Sequence, residues 1–518
     1  MGPLLADRFA ARAAARPHDL AVAADGGGTT YGALAAQAEA AARALSGRRR
    51  IAILPRAEAA SLAVVLGAMT VGTSVVLVDR HLTAAQAERV LAVAAPELIV
   101  TAGRHPRPLL ERVAPERVVA PQALVGGAGR AAVEREAAER GAAGARDGRA
   151  ADEEAGAEVA LPRRARPDDE MLVGLTSGTS GEPKLFARDQ ASWATTLDRS
   201  DQTFDVRPGD VVSAAGPLDH SHFFYGALHA LTRGATVDLR PLATAFGDGD
   251  GAAFAEVTHV YLVPALAVDL VALLGERPRE HVREVMSSAA PWPQQARERL
   301  ARLLPAATVT HFYGASELSF VAREDSCTPP PRAGASRPFD GVEIELRGPD
   351  GAPLPDGEQG EVHVRSDMLF SGYLTPAGLV GGPDADGWLT VGDLGTLRDG
   401  WLSLAGRGSE TIVSGGFNVE PAHVEQALAG LPGVREVACV GLPDERWGVL
   451  PVAVLVLDGA APPPTRAQVR DHVRAALPQP SRPRRVLVAE QLPRSPRGKL
   501  LRPRLAAQVA AGELRELG

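Results

Sequence analysis

The sequence predicts an α/β protein with more than one domain, and three observations support this fold class. Strand-like apolar segments alternate with helical segments from residue 34 onwards, a pattern typical of parallel sheets covered by helices. Between residues 341 and 364, apolar and polar residues alternate, as in antiparallel strands with one solvated face. The chain of 518 residues is also too long for a single hydrophobic core.

The first part of the chain alternates helices with strands. Helical periodicity predicts helices over residues 34–45, 59–70 and 84–94. Short apolar runs predict buried strands over residues 51–54, 75–78 and 98–101. Residues 126–169 are rich in Ala, Gly, Glu and Arg and poor in large apolar residues, which predicts a flexible linker, with a fragmentary helix as the alternative.

Strands resume after this segment, at residues 171–174, 211–212, 236–239, 257–262, 285–286 and 308–312. The alternating stretches at 342–346 and 361–364 predict a small antiparallel barrel. Beyond it, helices at 421–429 and 465–476 and strands at 437–441 and 452–457 predict a smaller C-terminal domain. We therefore expect an N-terminal domain of residues 1–408 and a C-terminal domain of residues 409–518.

Composition excludes several classes of protein. A net charge of −8 argues against general nucleic-acid binding. The two cysteines, Cys327 and Cys439, have no metal-binding spacing and are too few for a disulfide scaffold, so we expect free thiols. There is no signal-peptide pattern at the N-terminus and no apolar run of the roughly 20 residues that span a bilayer. The sequence predicts a cytoplasmic protein.

A glycine- and hydroxyl-rich run from Leu175 to Lys184 follows the apolar strand at 171–174. Glycines and small hydroxyl residues let backbone N–H groups converge on an anion, and Lys184 adds a mobile positive charge. The run differs from the P-loop pattern because Pro183 precedes the lysine and no Ser or Thr follows it. Alone, such a run is more often a surface turn, so its interpretation as a phosphate loop depends on the rest of the chain.

Further motifs follow this run in order along the chain. They are Pro217-Leu218-Asp219-His220, Ser287-Ser288-Ala289-Ala290-Pro291, Tyr313-Gly314-Ala315-Ser316-Glu317, Gly357-Glu358-Gln359-Gly360-Glu361, Gly372-Tyr373, the stretch 387–393, the stretch 406–421 and Pro493-Arg494-Ser495-Pro496-Arg497-Gly498-Lys499. Together they resemble the adenylate-forming superfamily of acyl-CoA synthetases, peptide-synthetase adenylation domains and luciferases. The resemblance covers nearly the whole chain and is closest to stand-alone acyl-CoA synthetases.

The resemblance implies a fold and a reaction. The expected fold is a large N-terminal domain of two stacked αβ subdomains and a small distorted β-barrel, with a smaller mobile α+β C-terminal domain. The expected activity is that of an ATP-dependent acid–CoA ligase. The acid is first converted to an acyl adenylate with release of pyrophosphate, and a thiol then displaces AMP. The resemblance thus implies ATP and coenzyme A as substrates and Mg²⁺ as the cofactor.

The resemblance also implies residue roles in ATP binding. The mobile loop would hold the β- and γ-phosphates through Thr176, Ser177, Gly178, Thr179, Ser180, Gly181 and Lys184. Ser316 stands where the family usually has Thr and would bond the α-phosphate, and Glu317 would lie beside Mg²⁺. Adenine would pack between Tyr313-Gly314 and Ala289-Ala290-Pro291, while Asp393, with Arg407 nearby, would bind ribose.

Three further roles concern catalysis and domain movement. Lys499 would lie between the acid carboxylate and the α-phosphate and lower their repulsion in the transition state. Ser409 occupies the hinge position, where the family often has Asp or Lys. Rotation about the hinge would bring Gly415 and Gly416 to line the thiol channel, since glycines allow a pantetheine arm to approach the backbone.

The acid pocket allows two alignments. In the first, His220 matches the histidine that follows an aromatic residue in many acyl-CoA synthetases, although Asp219 replaces the aromatic residue. In the second, Asp219 matches the aspartate that pairs with a substrate ammonium in amino-acid adenylation domains. We favour the first, with His220 counted among the catalytic residues. His222, Phe223, Tyr225 and Phe312 would line the pocket, which slightly favours a medium or aromatic acid.

Two other functions remain open at this stage. The alternatives are a free-standing adenylation enzyme that loads an acid or amino acid onto a carrier protein, and a non-catalytic binding homologue. The sequence of residues 414–421 resembles acyl-CoA synthetases more than peptide synthetases, and no attachment motif of a carrier domain is seen, so we expect CoA as the acceptor. The expected partners are a small carboxylic acid and CoA or a carrier protein.

Overall fold

A computed structural model describes residues 2–101, 117–126, 163–177, 183–247, 256–288, 294–328, 330–332, 334–407, 412–419, 421–459, 462–493 and 502–518. These residues form three sheets. The helices are α1 (Leu5–Ala15), α2 (Tyr31–Leu45), α3 (Ala59–Val71), α4 (Ala84–Ala94), α5 (Pro121–Val125), α6 (Gln190–Thr203), α7 (Ser221–Arg233), α8 (Leu242–Ala245), α9 (Pro264–Leu274), α10 (Gln294–Leu303), α11 (Pro421–Ala429), α12 (Arg466–Ala476) and α13 (Arg502–Ala510).

The strands up to the end of the parallel regions are β1 (Leu20–Ala24), β2 (Gly27–Thr30), β3 (Arg50–Leu54), β4 (Ser74–Leu77), β5 (Leu98–Thr101), β6 (Val118–Val119), β7 (Glu170–Ser177), β8 (Pro183–Asp189), β9 (Val211–Ser213), β10 (Thr236–Asp238), β11 (His259–Leu262), β12 (Glu284–Ser287) and β13 (Thr308–Ala315). The remaining strands are β14 (Ser319–Asp325), β15 (Ala335–Pro338), β16 (Glu343–Arg347), β17 (Gln359–Arg365), β18 (Gly372–Thr375), β19 (Gly378–Val380), β20 (Trp388–Arg398), β21 (Trp401–Arg407), β22 (Ile412–Ser414), β23 (Phe417–Val419), β24 (Val434–Asp444), β25 (Gly448–Leu457), β26 (Arg485–Ala489) and β27 (Arg515–Glu516).

The first sheet has eight strands in the order β19-β18-β8-β7-β4-β3-β5-β6. Its centre is parallel, as the alternation of helices and strands predicts. Strand β8 runs antiparallel to β7, and β18 runs antiparallel to β8. The strands predicted at 51–54, 75–78, 98–101 and 171–174 are therefore confirmed within a residue or two at their start.

The second sheet has thirteen strands in the order β16-β17-β20-β21-β15-β14-β13-β12-β11-β9-β10-β1-β2. Strands β1 and β9 to β13 form a parallel region. The antiparallel strands β14 to β17, β20 and β21 continue the same sheet and correspond to the predicted small barrel. Within it, the two predicted alternating segments pair directly, with Glu343 opposite Arg365.

The main hydrophobic core joins the two large sheets. One cluster contains buried residues of both sheets and of helices α2, α3, α6 and α7, which include Leu34, Ile53, Val64, Val75, Leu197, Phe224, Val237 and Met286. Helices α2 and α3 pack closely because Gly67 has no side chain: a Cβ there would lie 2.5 Å from the carbonyl oxygen of Ala38. Helix α7 is buried from His222 to Thr232 and apolar along most of its length, as expected of a helix covered on all sides.

The C-terminal strands β22 to β27 form a third sheet with cores of their own. The helices predicted at 421–429 and 465–476 are confirmed as α11 and α12, and the strands predicted at 437–441 and 452–457 lie within β24 and β25. Cys439 is buried and Cys327 exposed, and both are free thiols, as predicted. Most of the predicted linker lies outside the described residues, and the boundary at 408/409 remains a prediction.

Among the helices in the described ranges, none is both long and apolar enough to cross a bilayer.

Candidate active site

The two ends of the predicted phosphate loop lie on the paired strands of a β-hairpin. Strands β7 and β8 are antiparallel, with Thr176 opposite Lys184 and Ser177 opposite Pro183. In the P-loop a helix follows the loop, whereas here a strand does, which explains why the sequence departs from the P-loop pattern. The predicted tip residues Gly178, Thr179, Ser180 and Gly181 lie outside the described residues.

Glu317 lies in the turn between β13 and β14, beside the base of this hairpin. The residue is 7% exposed, and its carboxylate Oε1 accepts a hydrogen bond of 2.9 Å from the hydroxyl of Tyr373. The ammonium of Lys184 lies 5.0 Å from the centre of the Tyr373 ring. The structure thus brings together two predicted site residues, Lys184 and Glu317, through a tyrosine to which the sequence assigned no role. Ser316 lies partly exposed in the same turn.

Tyr313 and Asp393 also meet, although they lie on different strands and 80 positions apart. The Tyr313 hydroxyl donates a hydrogen bond of 2.6 Å to Asp393 Oδ2. Next to it, Gly314 packs against the backbone, since a Cβ there would lie 2.1 Å from the Ser319 carbonyl oxygen. Arg407 pairs in register with Asp393 across β20 and β21. The predicted adenine residues Ala289, Ala290 and Pro291 lie outside the described residues.

The donor set around Glu317 is suited to Mg²⁺ only together with substrate phosphates. The described ranges contain no group of three or more His, Cys, Asp or Glu side chains that could hold a metal ion by itself. Mg²⁺ is commonly bound by one or two carboxylates plus phosphate oxygens and water. The single buried carboxylate of Glu317 fits that mode of binding.

His220 lies at the start of α7 and faces the C-terminal part of the chain. Its Nδ1 accepts a hydrogen bond from the His222 amide (3.3 Å), so His220 is the N-cap of the helix. Its ring contacts Phe417 edge-on at 5.6 Å and makes a hydrogen bond with the backbone of Gly416. Burial lowers the pKa of His220. The predicted catalytic histidine and the predicted thiol-channel glycines therefore lie together.

Gly415 and Gly416 both have positive φ angles, 57° and 87°, which favour glycine. A Cβ on Gly415 would lie 2.6 Å from the ring of Trp447. The Gly415 amide donates to the Trp447 carbonyl oxygen at 2.8 Å. This tight turn needs glycine for its own packing, independently of any ligand. The ring of Trp447 is also flanked by the guanidinium groups of Arg446 (5.3 Å) and Arg484 (4.4 Å).

The carboxylate of Asp219 is bound by Arg80. Arg80 lies just beyond the end of β4 and reaches Asp219 with its Nε (2.8 Å), its Nη2 (3.1 Å) and its backbone amide (3.0 Å). The Asp219 side chain is 6% exposed. Arg80 thus supplies three donors to this carboxylate, so the cation that pairs with Asp219 belongs to the protein itself. This geometry supports the alignment in which His220 has the role in the acid pocket.

Aromatic side chains surround His222 in the predicted acid pocket. The rings of Phe223 and Tyr261 lie 5.2 Å from the His222 ring, and Phe312 lies 5.7 Å away. His222 Nδ1 and the Ser288 hydroxyl share a hydrogen bond of 3.1 Å. Burial lowers the pKa of His222 to about 3, so the ring is neutral at physiological pH.

Tyr225, the other predicted pocket residue, packs into the core. Its hydroxyl hydrogen-bonds to Ser200 and to the Thr196 carbonyl oxygen, both on α6. Its ring lies 5.5 Å from Trp193, and burial raises its pKa. The structure therefore places Tyr225 against α6, one helical turn beyond the cluster around His222.

Several residues of the site lacked an assignment from the sequence. Arg80 and Tyr373 are the most important, because each binds a carboxylate that the motifs had singled out. A signal for Arg80 was present: it directly follows a buried parallel strand, and ligand sites lie at the carboxyl ends of such strands. The predicted catalytic Lys499 and hinge Ser409 lie outside the described residues.

Comparisons with known proteins identify the class. The model of a family described as AMP-binding enzyme matches residues 9–374, and that of the AMP-binding enzyme C-terminal domain matches residues 423–499. Since the first match covers more than half of the chain, this protein belongs to the family of AMP-binding enzymes. The family, the fold class and the class of enzyme predicted from the sequence are thereby confirmed.

Individual relatives agree with this family. An uncharacterized acyl-CoA ligase of Bacillus subtilis is 35% identical over 343 residues, which cover 65% of this chain and 68% of the relative. A long-chain-fatty-acid–CoA ligase of Mycobacterium tuberculosis is 30% identical over 353 residues, covering 66% and 68%.

Two solved structures share the fold over nearly the whole chain. The amide bond synthetase McbA of Marinactinospora thermotolerans has a TM-score of 0.77 at 27% identity and covers 98% of this chain and 99% of its own. A double mutant of the o-succinylbenzoate CoA synthetase of Bacillus subtilis has a TM-score of 0.79 at 23% identity and covers 99% of both chains.

Proposed function

We propose that this chain is an ATP-dependent carboxylic acid–CoA ligase that acts through an acyl adenylate. The observations that carry the proposal are three contacts between predicted site residues: Lys184 and Glu317 meet through Tyr373, Tyr313 bonds Asp393, and His220 bonds the backbone of Gly416. The names of the relatives, which are acyl-CoA ligases, support the same reaction.

The reaction has two steps. In the first, an oxygen of the acid carboxylate attacks the α-phosphorus of ATP, and the bond from that phosphorus to the pyrophosphate oxygen breaks. In the second, the thiol sulfur attacks the acyl carbon, the bond from that carbon to AMP breaks, and the thiol proton is released to the medium. The acyl group ends on sulfur, and the products are pyrophosphate, AMP and a thioester.

We assign the ATP-binding roles as the sequence predicts them. Thr176 and Lys184, at the base of the hairpin, and the tip residues would bind the β- and γ-phosphates. Ser316 would bond the α-phosphate, while Tyr313 and Asp393 would hold adenine and ribose. When bound, Mg²⁺ neutralises phosphate charge, and Glu317 would hold it. Preorganised donors and cations of this kind lower the barrier because they cost no reorganisation during the reaction.

We further propose that the C-terminal domain moves between the two steps about Ser409. Lys499 would serve the first step, and Gly415 and Gly416 would line the thiol channel in the second. The contacts of His220 with Gly416 and Phe417 support this, because they place Gly416 beside the histidine that we assign to the acid pocket. The ion pair between Arg446 and Asp269 of α9, at 3.1 Å, is a further contact of this arrangement.

We propose CoA as the acceptor. The guanidinium group of Arg484 lies 4.4 Å from the ring of Trp447, which packs beside Gly415, and it gives the mouth of the proposed channel a positive charge that suits the phosphates of CoA. A carrier protein in trans is the alternative. An amine is a third acceptor to test, since the structural neighbour McbA is an amide bond synthetase.

The proposal is tested in two assays. Exchange of labelled pyrophosphate into ATP over a panel of acids measures adenylation, and we expect exchange with at least one acid class. With that acid, CoA, a phosphopantetheinylated carrier protein and a set of amines are compared as acceptors. A thioester with CoA supports the proposal, whereas preference for the carrier or an amine by tenfold or more in kcat/KM overturns the choice of CoA. Absence of exchange with every acid, in folded protein, would favour a binding homologue.

For the acid itself, we propose a medium-sized or aromatic carboxylate. The rings of Phe223, Tyr261 and Phe312 surround His222, and Phe312 is backed by Phe320 at 4.6 Å. Closely packed aromatic side chains can move little to admit a ligand, because protein interiors are close-packed. This wall opposes the passage of a long acyl chain.

Substituting Phe312→Ala tests that interpretation. We expect the variant to accept acids with about three to six more carbon atoms than the wild type, with kcat/KM for them raised by roughly tenfold or more, because each buried methylene contributes about 0.8 kcal/mol. The matched variant Phe339→Ala removes a ring of the same cluster that contacts Phe312 but not His222. Equal preference for short and long acids in the wild type would contradict the proposed acid class.

A further inference from the structure

Tyr373 joins two parts of the proposed ATP site that belong to different sheets. It lies on β18 of the eight-stranded sheet, where it pairs with Phe186 of β8. Lys184 is the second residue of the same strand β8. Glu317 follows β13 of the thirteen-stranded sheet. The tyrosine hydroxyl donates to Glu317 Oε1 at 2.9 Å, and its ring face lies 5.0 Å from the Lys184 ammonium. One side chain therefore contacts both the proposed metal carboxylate and the phosphate-loop lysine.

The segment around Tyr373 holds Glu317 at a second point. The Phe370 amide donates to the Glu317 carbonyl oxygen at 2.9 Å, and the Phe370 ring packs edge-on against Tyr373 at 4.9 Å. The backbone and the carboxylate of Glu317 are thus both fixed by residues 370–373. A side chain held at both ends loses little freedom when a cation binds, because the ordering has already occurred on folding.

We propose that Tyr373 is a positioning residue for Mg²⁺-ATP: its hydroxyl orients the Glu317 carboxylate toward the metal, and its ring orients Lys184 toward the phosphates. The inference rests on the proposed function, which assigns Glu317 to Mg²⁺. A cation–π contact uses the face of the ring and leaves the ammonium N–H groups able to donate to phosphate oxygens, so the ring can keep Lys184 oriented while ATP is bound.

Two variants separate the two contacts. Tyr373→Phe removes the hydroxyl and keeps the ring, and Tyr373→Leu removes both. The measurement is ATP binding by calorimetry in the absence of acid, with Mg²⁺ varied and with a chelator. We expect both variants to need roughly tenfold more Mg²⁺ for half-maximal ATP binding, as for the loss of one hydrogen bond to a charged group. Only Tyr373→Leu should also weaken Mg²⁺-free binding, by roughly twofold to fivefold.

Tyr31→Phe is the matched control. The Tyr31 hydroxyl bonds the backbone carbonyls of Leu231 and Ala235, remote from Glu317 in the chain and in its contacts, so its removal should leave both binding constants unchanged. Adding Tyr373→Phe to Glu317→Gln should produce no further change in Mg²⁺ dependence if the tyrosine acts through the carboxylate. A general structural effect would instead add to the effect of the first substitution.

The outcomes distinguish this inference from the proposed function. If Glu317→Gln leaves the Mg²⁺ dependence unchanged, the metal assignment fails and the inference falls with it. If Glu317→Gln raises the Mg²⁺ requirement but Tyr373→Phe does not, the inference alone is overturned. Unchanged Mg²⁺-free binding in Tyr373→Leu also overturns it, because the ring would then have no influence on Lys184.

Discussion

Single hydrogen bonds connect the residues of the proposed ATP site. Tyr313 bonds Asp393 and Tyr373 bonds Glu317, across 80 and 56 positions of the chain. The motifs contain all four residues and the resemblance gives a role to three of them, but each motif is a local pattern and carries no information about which distant residue its side chains contact. Phenolic hydroxyls are suited to such links, because they are rigid donors that do not add charge.

The role of Lys499 is a prediction at the same scale. Replacing it with alanine should lower ATP–pyrophosphate exchange by roughly 10²- to 10³-fold, the effect of removing one preorganised donor to a developing negative charge. Thioester formation from supplied acyl adenylate should fall by less than about threefold, since the lysine would leave the site for that step. Arg497→Ala, two positions earlier, controls for loss of positive charge in this segment. Equal losses in both half-reactions would contradict the proposed domain movement.

At the scale of elements, the site forms where the end of one strand meets the start of one helix. Strand β4 of the first sheet ends two residues before Asp79, and α7, which packs against the second sheet, begins after His220. The Arg80–Asp219 pair joins these two ends. Burial and the nearby Asp219 charge raise the pKa of Asp79, so the guanidinium also offsets two neighbouring carboxylates. The pair thereby holds the start of α7, and His220 with it.

Arg80→Ala should therefore loosen this junction. The Arg80 side chain is 43% exposed while that of Asp219 is 6% exposed, so the substitution leaves a buried carboxylate with only a backbone donor from residue 80. We expect a loss of about 1–2 kcal/mol of stability and a KM for the thiol acceptor raised by roughly threefold to tenfold. Thermal unfolding and steady-state kinetics measure the two effects.

The compensating variant makes this prediction specific. Adding Asp219→Asn to Arg80→Ala removes the unpaired charge and should recover at least half of the lost stability. Arg80→Lys keeps the charge but loses the two-point contact, so it should lie between the wild type and Arg80→Ala. A double variant no more stable than Arg80→Ala would show that the ion pair does not account for the loss.

At the scale of the whole molecule, the fold buries ionisable groups outside the proposed site as well. Glu284, at the start of β12, is 6% exposed, and burial raises its pKa to about 7. Nearby, burial lowers the pKa of His259 to about 4. A carboxyl whose pKa is higher in the folded state than in the unfolded state contributes stability at pH values below its unfolded-state pKa. That contribution is lost as the pH rises through 7, the folded-state pKa of Glu284. A histidine with a lowered pKa destabilises the fold as pH falls from its unfolded value toward 4.

Glu284→Gln should consequently stabilise the protein at alkaline pH. The unfolding free energy of the variant relative to the wild type should rise by roughly 2 to 3 kcal/mol between pH 5 and pH 8, because only the wild type must bury a charge at pH 8. Urea unfolding followed by tryptophan fluorescence measures this difference, and the contribution of His259 cancels since both proteins contain it. The exposed Glu88→Gln is the control for the change of side chain alone. A difference independent of pH would contradict the buried-carboxyl explanation.

Much of the architecture could be predicted from local patterns. Periodicity correctly predicted the helices at 84–94 and 421–429 and the strand at 98–101. The reason is that the order of apolar and polar residues determines which helix face or which short run can be buried. Strand β8 was not predicted from the sequence. Its apolar residues 185–187 form a run of only three, flanked by Pro183-Lys184 and Arg188-Asp189, and they show no clear alternation. Its pairing with β7 and β18 is what stabilises it.

The sequence by itself determined the family and the reaction class and suggested most of the residues that we assign to ATP, because the order of its motifs resembles one superfamily over nearly the whole chain. Only the tertiary structure decided that Arg80 binds Asp219, that Tyr373 joins Glu317 to Lys184, and that His220 faces Gly416. These contacts arise where separate strands and helices meet. The physical reason is that the direction of a side chain and the identity of its distant neighbour depend on how the sheets stack, and no local pattern encodes that.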